Sequence, residues 1–385
     1  MVEKNKISAL NTAAIFALFL VSMGFTVVTP AMAVLMEHFG PNAVLISTLP
    51  TLFIVIGSFI AGAVMGKKMK YKTLAVLASL LCLVGGCAPA LFDSLIGTLV
   101  CRALFGLGMG LMSPMGNALI IGMYKGQKQA SMLGYGTLFM NGGGIFLQML
   151  GGALASNSWQ LTFWGHALFV ISLVFALFLP EPEMPAVQAG EKPTKEKLGK
   201  LIWLIAILFL TYNMLNYPIM LNISTLFTIR NAGGPTVAAT GLSLFTVAGC
   251  VAGFLFGMIF KVAKRWCGTL GYALSGLGAL LVVTGQTALV MTLGLILVGF
   301  GFSVVMPTFF SWAGLVTPPA TVAFAISLLM AFNNVGGFLS TFWLKFLTLV
   351  AGENIISAIW VEVVVFLAIA VIFIFYNPFK EKKSA

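Results

Sequence analysis

Twelve apolar runs follow one another along the chain, separated by short polar breaks, and they leave few folds open. The first covers about residues 12–36. The rest cover about 43–66, 73–92, 95–123, 130–155, 158–180, 200–228, 236–260, 267–285, 288–314, 319–346 and 355–376. About 20 apolar residues in a helix, at 1.5 Å per residue, cross the roughly 30 Å hydrocarbon layer of a bilayer. Isolated strands would leave N–H and C=O groups unpaired in lipid, so each run is read as a helix. The prediction is an all-α membrane protein of twelve transmembrane helices. Composition agrees, because only 8% of residues are charged and 60% are hydrophobic, whereas a soluble domain carries about 25% charged residues.

The formal net charge of +11 does not point to nucleic acid, because the basic residues sit in short clusters between the runs. With a cytoplasmic N-terminus, one side holds Lys4 and Lys6; Lys67, Lys68, Lys70 and Lys72; Lys125 and Lys128; Lys192, Lys195, Lys197 and Lys200; Lys261, Lys264 and Arg265; and Lys380, Lys382 and Lys383. These are 18 of the 21 basic residues. Cytoplasmic loops carry such an excess, which places both termini of a multi-pass membrane protein in the cytoplasm. The first run, despite Ala31-Met32-Ala33, is too long for the h-region of a signal peptide and is read as a retained span. None of Cys82, Cys87, Cys101, Cys250 and Cys267 forms a CxxC pair, so neither a disulfide framework nor a metal site is expected. No GxxxxGK[ST] loop is present, which argues against ATP as the driving force, and no cofactor is expected.

The chain is a half-length pattern written twice. Gly106, Gly108, Gly110 and Pro114 map onto Gly299, Gly301, Ser303 and Pro307 at a constant offset of 193 (299 less 106). Asn141-Gly-Gly143-Gly144 matches Asn334-Val-Gly336-Gly337 at the same offset, and Trp164-Gly-His166 matches Trp360-Val-Glu362 at 196 (360 less 164). Such spacing indicates internal duplication. Pro180 to Lys200, with Glu181-Pro-Glu183 and Pro185, reads as a polar linker. The expected organisation is a six-helix bundle over 1–180, a cytoplasmic linker over 181–199 and a second six-helix bundle over 200–385.

This pattern resembles the major facilitator superfamily of secondary transporters, over nearly the whole chain. Arg102 with Gly106, Gly108 and Gly110 resembles the family's fourth-helix motif. Gly62-Ala-Val-Met-Gly66-Lys67-Lys68-Met-Lys70 resembles its basic loop between helices two and three, with Gly66 where aspartate is usual and Met69 where glycine is usual. Trp159-Gln-Leu-Thr-Phe163 and Pro180-Glu-Pro182 resemble its sixth-helix boundaries. Gly151-Gly152 is similar to part of the antiporter motif, with Leu147-Gln148 in place of its Gly-Pro. The resemblance implies two bundles around a central site open to each side in turn, and a gating role for Gly62, Gly66, Lys67 and Lys70. Repeats with sites near the midplane suit such alternation.

Arg102 lies about seven residues into its helix, roughly 10 Å from the outer edge. An arginine at that depth is costly unless paired or hydrated, and no Asp or Glu occurs within a span of the first half. It either meets an anionic substrate or braces the bundle through carbonyls of the first helix. Glu362 is the acidic residue inside a span. It either pairs with Lys345 or carries a proton, and His166 at the equivalent repeat position could also titrate. Pro218 frees a carbonyl in the seventh span, where Tyr212, Asn213 and Asn216 share a face. Thr26 in the first span, Asn141 and Gln148 in the fifth, and Asn333 and Asn334 in the eleventh complete the substrate-binding candidates. Each amide could equally serve helix–helix hydrogen bonding.

The resemblance implies a secondary active transporter of a small organic molecule in the plasma membrane, working by alternating access as a monomer, with protons as the coupling ion and efflux as the direction. The alternative is an importer or exchanger of an organic anion through Arg102. A sensor that kept the fold without transporting is disfavoured by the short loops. With no catalytic constellation, an enzyme is not expected.

Overall fold

A computed structural model describes residues 8–155, 157–182, 198–233, 235–351 and 355–375. Most of the expected linker, 183–197, lies outside the described residues, as do Lys4, Lys6 and the basic residues after 375. Among the described residues there is no strand, and the one isolated bridge joins Met65 to Met69. The helices are α1 Ala9–Leu20, α2 Met32–Phe39, α3 Val44–Val64, α4 Tyr71–Cys87, α5 Leu95–Met112, α6 Met115–Met123, α7 Gly126–Ala155, α8 Trp159–Trp164, α9 Phe169–Ala176, α10 Lys200–Leu221, α11 Ile223–Ile229, α12 Pro235–Ala263, α13 Cys267–Thr284, α14 Ala288–Val316, α15 Val322–Ala351 and α16 Ile355–Phe375.

Eleven stretches of described residues are long and apolar enough to cross a membrane. The longest, Thr240–Thr284, holds most of α12 and all of α13, joined by the 3-10 turn Lys264–Trp266. The first apolar run is not one helix. It passes from α1 through the 3-10 segment Gly24–Ala31, which contains Pro30, into α2. Proline lacks the N–H that an α-helix needs at its interior and its ring crowds the preceding turn, so the regular α-helix is interrupted there.

The chain forms two compact units. The first comprises Met1–Met123, Gly142–Leu198 and Pro318–Ala331; the second comprises Tyr124–Asn141, Gly199–Thr317 and Phe332–Ala385.

In the first unit α3 and α5 meet along a seam built from residues four apart. A methyl group at Gly106 would overlap the Pro50 carbonyl, and one at Gly110 would overlap that of Ile54. Small residues at this spacing let two helices touch through their backbones. At the end of α2, His38 stacks on Trp159 with ring centroids 4.7 Å apart, and its Nε2 lies 2.6 Å from Asp93 Oδ1. At the opposite end the Glu181 carboxylate accepts from the backbone N–H groups of Tyr71 (3.0 Å) and Lys72 (2.8 Å). A carboxylate there satisfies orphan donors of α4 and complements its dipole.

In the second unit the first part of α7 packs on α12. The Gln127 amide donates to the Gly257 carbonyl, and Gly134 lies against Gly253. Aromatic rings fill the space between α10, α13, α14 and α16. Tyr212 stands edge-on to Tyr272 at 5.1 Å and to Phe366 at 5.4 Å, and Trp312 meets Phe373 at 5.8 Å.

Candidate functional site

Arg102 is completely buried. Its Nε–H donates to the Ile46 carbonyl at 3.0 Å, and an Nη1–H donates to His166 Nε2 at 3.2 Å. The guanidinium carbon lies 4.3 Å from the Phe105 ring centroid, an arrangement that favours a cation. Its Nη2 has no partner. The bracing carbonyl therefore belongs to α3, not to the first helix as expected. Pro50, four residues after Ile46, has no N–H to give that carbonyl, so the helix leaves an acceptor open where Arg102 arrives.

The same geometry assigns the His166 tautomer. Nδ1 lies 2.9 Å from the Phe163 carbonyl, which can only accept, so Nδ1 carries the proton. Nε2 is then free to accept from Arg102, which can only donate. His166 and Arg102 thus form one buried cluster with Phe105, whose ring stands edge-on to the imidazole at 4.8 Å. A methyl at Gly86 would overlap the His166 side chain, so α4 closes directly over it.

Glu362 on α16 is also completely buried, and neither carboxylate oxygen has a partner. Lys345 is exposed and forms no ion pair with it. Leu295 fills the place that corresponds to Arg102, so the second repeat keeps an ionisable group at the His166 position without a counter-ion at the arginine position.

The other candidates are scattered. Tyr212 Oη is 2.6 Å from Ser275 Oγ and belongs to the aromatic core of its unit. Asn141 Nδ2 donates to Ser303 Oγ at 3.3 Å. Asn213 is buried, with Nδ2 donating to the Phe209 carbonyl of its own helix and Oδ1 unpartnered. Asn216 is buried with Oδ1 unpartnered, and half-buried Asn333 also has an unpartnered Oδ1. Asn334 is half-buried, Gln148 is exposed, and Thr26 donates to the Met23 carbonyl at 2.7 Å. In the basic loop Gly66 takes φ +68°, a left-handed conformation that glycine adopts without strain, and its N–H bonds the Met69 carbonyl at 2.9 Å. Lys67 and Lys70 are exposed, while Gly62 lies against Phe324 and Ser327 of α15.

Two contributors were not singled out from the sequence. Pro50 was one proline among fifteen, and only its spacing from Ile46 opposite Arg102 gives it meaning. Glu181 lies in the Pro180-Glu-Pro182 stretch that resembles a helix boundary, and its capping role depends on a contact with Tyr71 and Lys72, more than a hundred residues away.

The family model described as Major Facilitator Superfamily matches residues 14–341, most of the chain. The chain belongs to the Major Facilitator Superfamily. It is therefore a multi-pass membrane protein of a transporter family. Among curated proteins it is similar to the quinolone resistance protein NorA of Staphylococcus aureus (strain MSSA476), 22% identical over 252 residues. That match spans 64% of this chain and 64% of NorA, so it covers less than two thirds of the relative. Among solved structures it is similar to the human organic anion transporter MFSD10 (TETRAN), with TM-score 0.80, 16% identity, and 94% and 99% of the two chains covered. The superfamily transporter FucP in its outward conformation matches with TM-score 0.75, 17% identity, and 94% and 98% covered. The proton:xylose symporter XylE matches with TM-score 0.74, 15% identity, and 96% and 95% covered. These likenesses establish the fold.

Proposed function

We propose that this chain exports a small amphipathic organic molecule from the cell in exchange for protons, by alternating access in the plasma membrane. The observation that carries the reading is the similarity to NorA, a quinolone resistance protein. The unpaired Glu362 supports it as the proton-carrying group, because an isolated carboxyl at membrane depth is expensive to keep and marks functional pathways. In this reading twelve helices form six-helix bundles over 1–180 and 200–385, joined by a cytoplasmic linker, with both termini in the cytoplasm. The division of Thr240–Thr284 into two helices supports the count, and the basic residue distribution supports the orientation. Thr26, Asn141, Gln148, Tyr212, Asn213, Asn216, Asn333 and Asn334 are the proposed substrate-binding groups, and Gly62, Gly66, Lys67 and Lys70 the proposed gating loop.

A second reading is exchange or import of an organic anion at Arg102. The free Nη2 of that buried guanidinium favours it. The two readings separate in inside-out vesicles carrying the protein. Efflux driven by protons loads an amphipathic dye when the interior is acidified and releases it when the gradient is collapsed with nigericin. Loading of a carboxylate that ignores the gradient would favour the anion reading instead.

A further inference from the structure

The first and seventh spans end alike. Each carries a proline, Pro30 or Pro218, and soon after it passes into a short helix, α2 or α11. Each short helix is tied at its far end by a basic residue. His38, in the last turn of α2, sets its Nε2 2.6 Å from Asp93 Oδ1 in the connection between α4 and α5. Arg230, the residue that ends α11, donates from Nη2 to the Val283 carbonyl in the last turn of α13. The two positions are 192 apart (230 less 38), close to the offset of 193 that relates the repeated glycines. The tie belongs to the repeat, but its chemistry differs between the copies.

A guanidinium is a permanent cation, and the carbonyl end of a helix attracts a cation. Imidazole instead gains and loses its charge between about pH 5 and 8. The contact with Asp93 needs a proton on Nε2, because an ionised carboxylate only accepts. Neutral imidazole can supply that proton, but imidazolium makes a charge-assisted bond that is roughly twice as strong. The Trp159 indole is stacked on the His38 ring, with centroids 4.7 Å apart and planes at 29°, and its face also favours a cation. Phe39 closes the group, edge-on to His38 at 4.5 Å and to Trp159 at 4.9 Å. Trp159 is buried, whereas the side chains of His38 and Asp93 are 34% and 66% exposed, so protons reach the pair from the medium. The other charged group at this end is Glu37, next to His38 on α2. Helix α8, the turn Pro41–Ala43 and the 3-10 segments Gly24–Ala31 and Ala88–Leu91 carry none. The tie is therefore strongest at low pH and weakens as pH rises and the imidazole loses its proton.

We propose that His38, Asp93 and Trp159 form a pH-dependent latch on the end of the first span, which holds α2 tightly while the imidazole is protonated and loosens it as the medium on that face turns alkaline, whereas Arg230 holds α11 at every pH. The inference rests on the transport reading above only in calling this face the outer one. On that face the latch senses the medium from which an exporter in exchange for protons would draw them.

The test is amide hydrogen exchange of the purified full chain, read over α2 and α11. It is run at about pH 5.5 and about pH 8, on either side of the imidazole titration. Taking wild type against His38→Gln at each pH cancels the intrinsic effect of pH on exchange. The expected result is α2 protection about two- to fivefold greater at the lower pH, the size that a partly exposed ion pair allows, with α11 unchanged. Asp93→Asn is expected to remove most of that pH dependence. His38→Arg copies the second repeat and is expected to hold α2 at the higher pH as tightly as the wild type does at the lower. The chain has two histidines, so NMR of labelled imidazoles follows His38 in the wild type itself, and α2 exchange should track its titration. Protection of α2 that ignores pH, a pH response that survives Asp93→Asn in full, or one that does not track His38 would overturn the latch. Proton movement in vesicles tests the transport reading separately, and its absence would leave a pH-dependent α2 standing.

Discussion

Arg102 donates from Nε to the carbonyl of Ile46, 3.0 Å away, the one carbonyl that Pro50 leaves without an intrahelical partner. A charge that is costly at membrane depth and a backbone acceptor that is costly when orphaned thus satisfy each other. The pair lies on the α3–α5 seam, with Gly106 against Pro50 and Gly110 against Ile54 following at four-residue steps.

Coupling between Arg102 and Pro50 follows. Arg102→Met leaves the Ile46 carbonyl and His166 Nε2 without their donor and is expected to destabilise the protein by about 1–3 kcal/mol. In a Pro50→Ala background the helix supplies its own N–H to Ile46, so the same substitution costs about 1 kcal/mol less. A double-mutant cycle by thermal or denaturant unfolding in detergent measures the difference. Additive effects would show that the proline and the arginine are unrelated.

Two adjacent glycines are expected to respond with opposite sign. A methyl at Gly143 would overlap the Leu20 carbonyl, whereas nothing lies within 4 Å of one at Gly142. Gly143→Ala should destabilise by about 1–3 kcal/mol through overpacking. Gly142→Ala should stabilise by about 0.5–1 kcal/mol, because glycine is a poor helix residue and the site has room. Unfolding midpoints of the two variants decide this, and a shift in the same direction for both would contradict the packing described.

Glu181 caps α4 through the N–H groups of Tyr71 and Lys72. Glu181→Gln keeps an acceptor and loses the charge, and should cost about 0.5 kcal/mol in this partly exposed setting. Glu181→Ala removes both and should cost about 1 kcal/mol. Raising the salt should narrow the gap between wild type and Glu181→Gln. A gap that salt leaves unchanged would rule out the charge term.

The fold was legible because one property, apolar run length, dictates it: the run at 355–376 became α16, Ile355–Phe375. The run at 12–36 misled about continuity, since hydropathy is blind to the 3-10 segment around Pro30. Arg102 was legible as an anomaly, a buried cation without a nearby acid. Its partners were not, because Ile46 contributes only backbone and the His166 contact joins residues 64 apart. The candidate amides were visible as polar residues in apolar helices, but no spacing rule shows which of their atoms remain unpaired. That follows from which groups pack around each amide.

The central claim, proton-linked transport through Glu362, is tested most directly with wild type and Glu362→Gln in proteoliposomes containing a pH-sensitive dye. Amphipathic compounds are added outside and the internal pH is followed. The account predicts substrate-dependent proton movement in the wild type and its loss in Glu362→Gln, with substrate binding retained. Substrate transport without proton movement, or proton movement that survives the substitution, would contradict it.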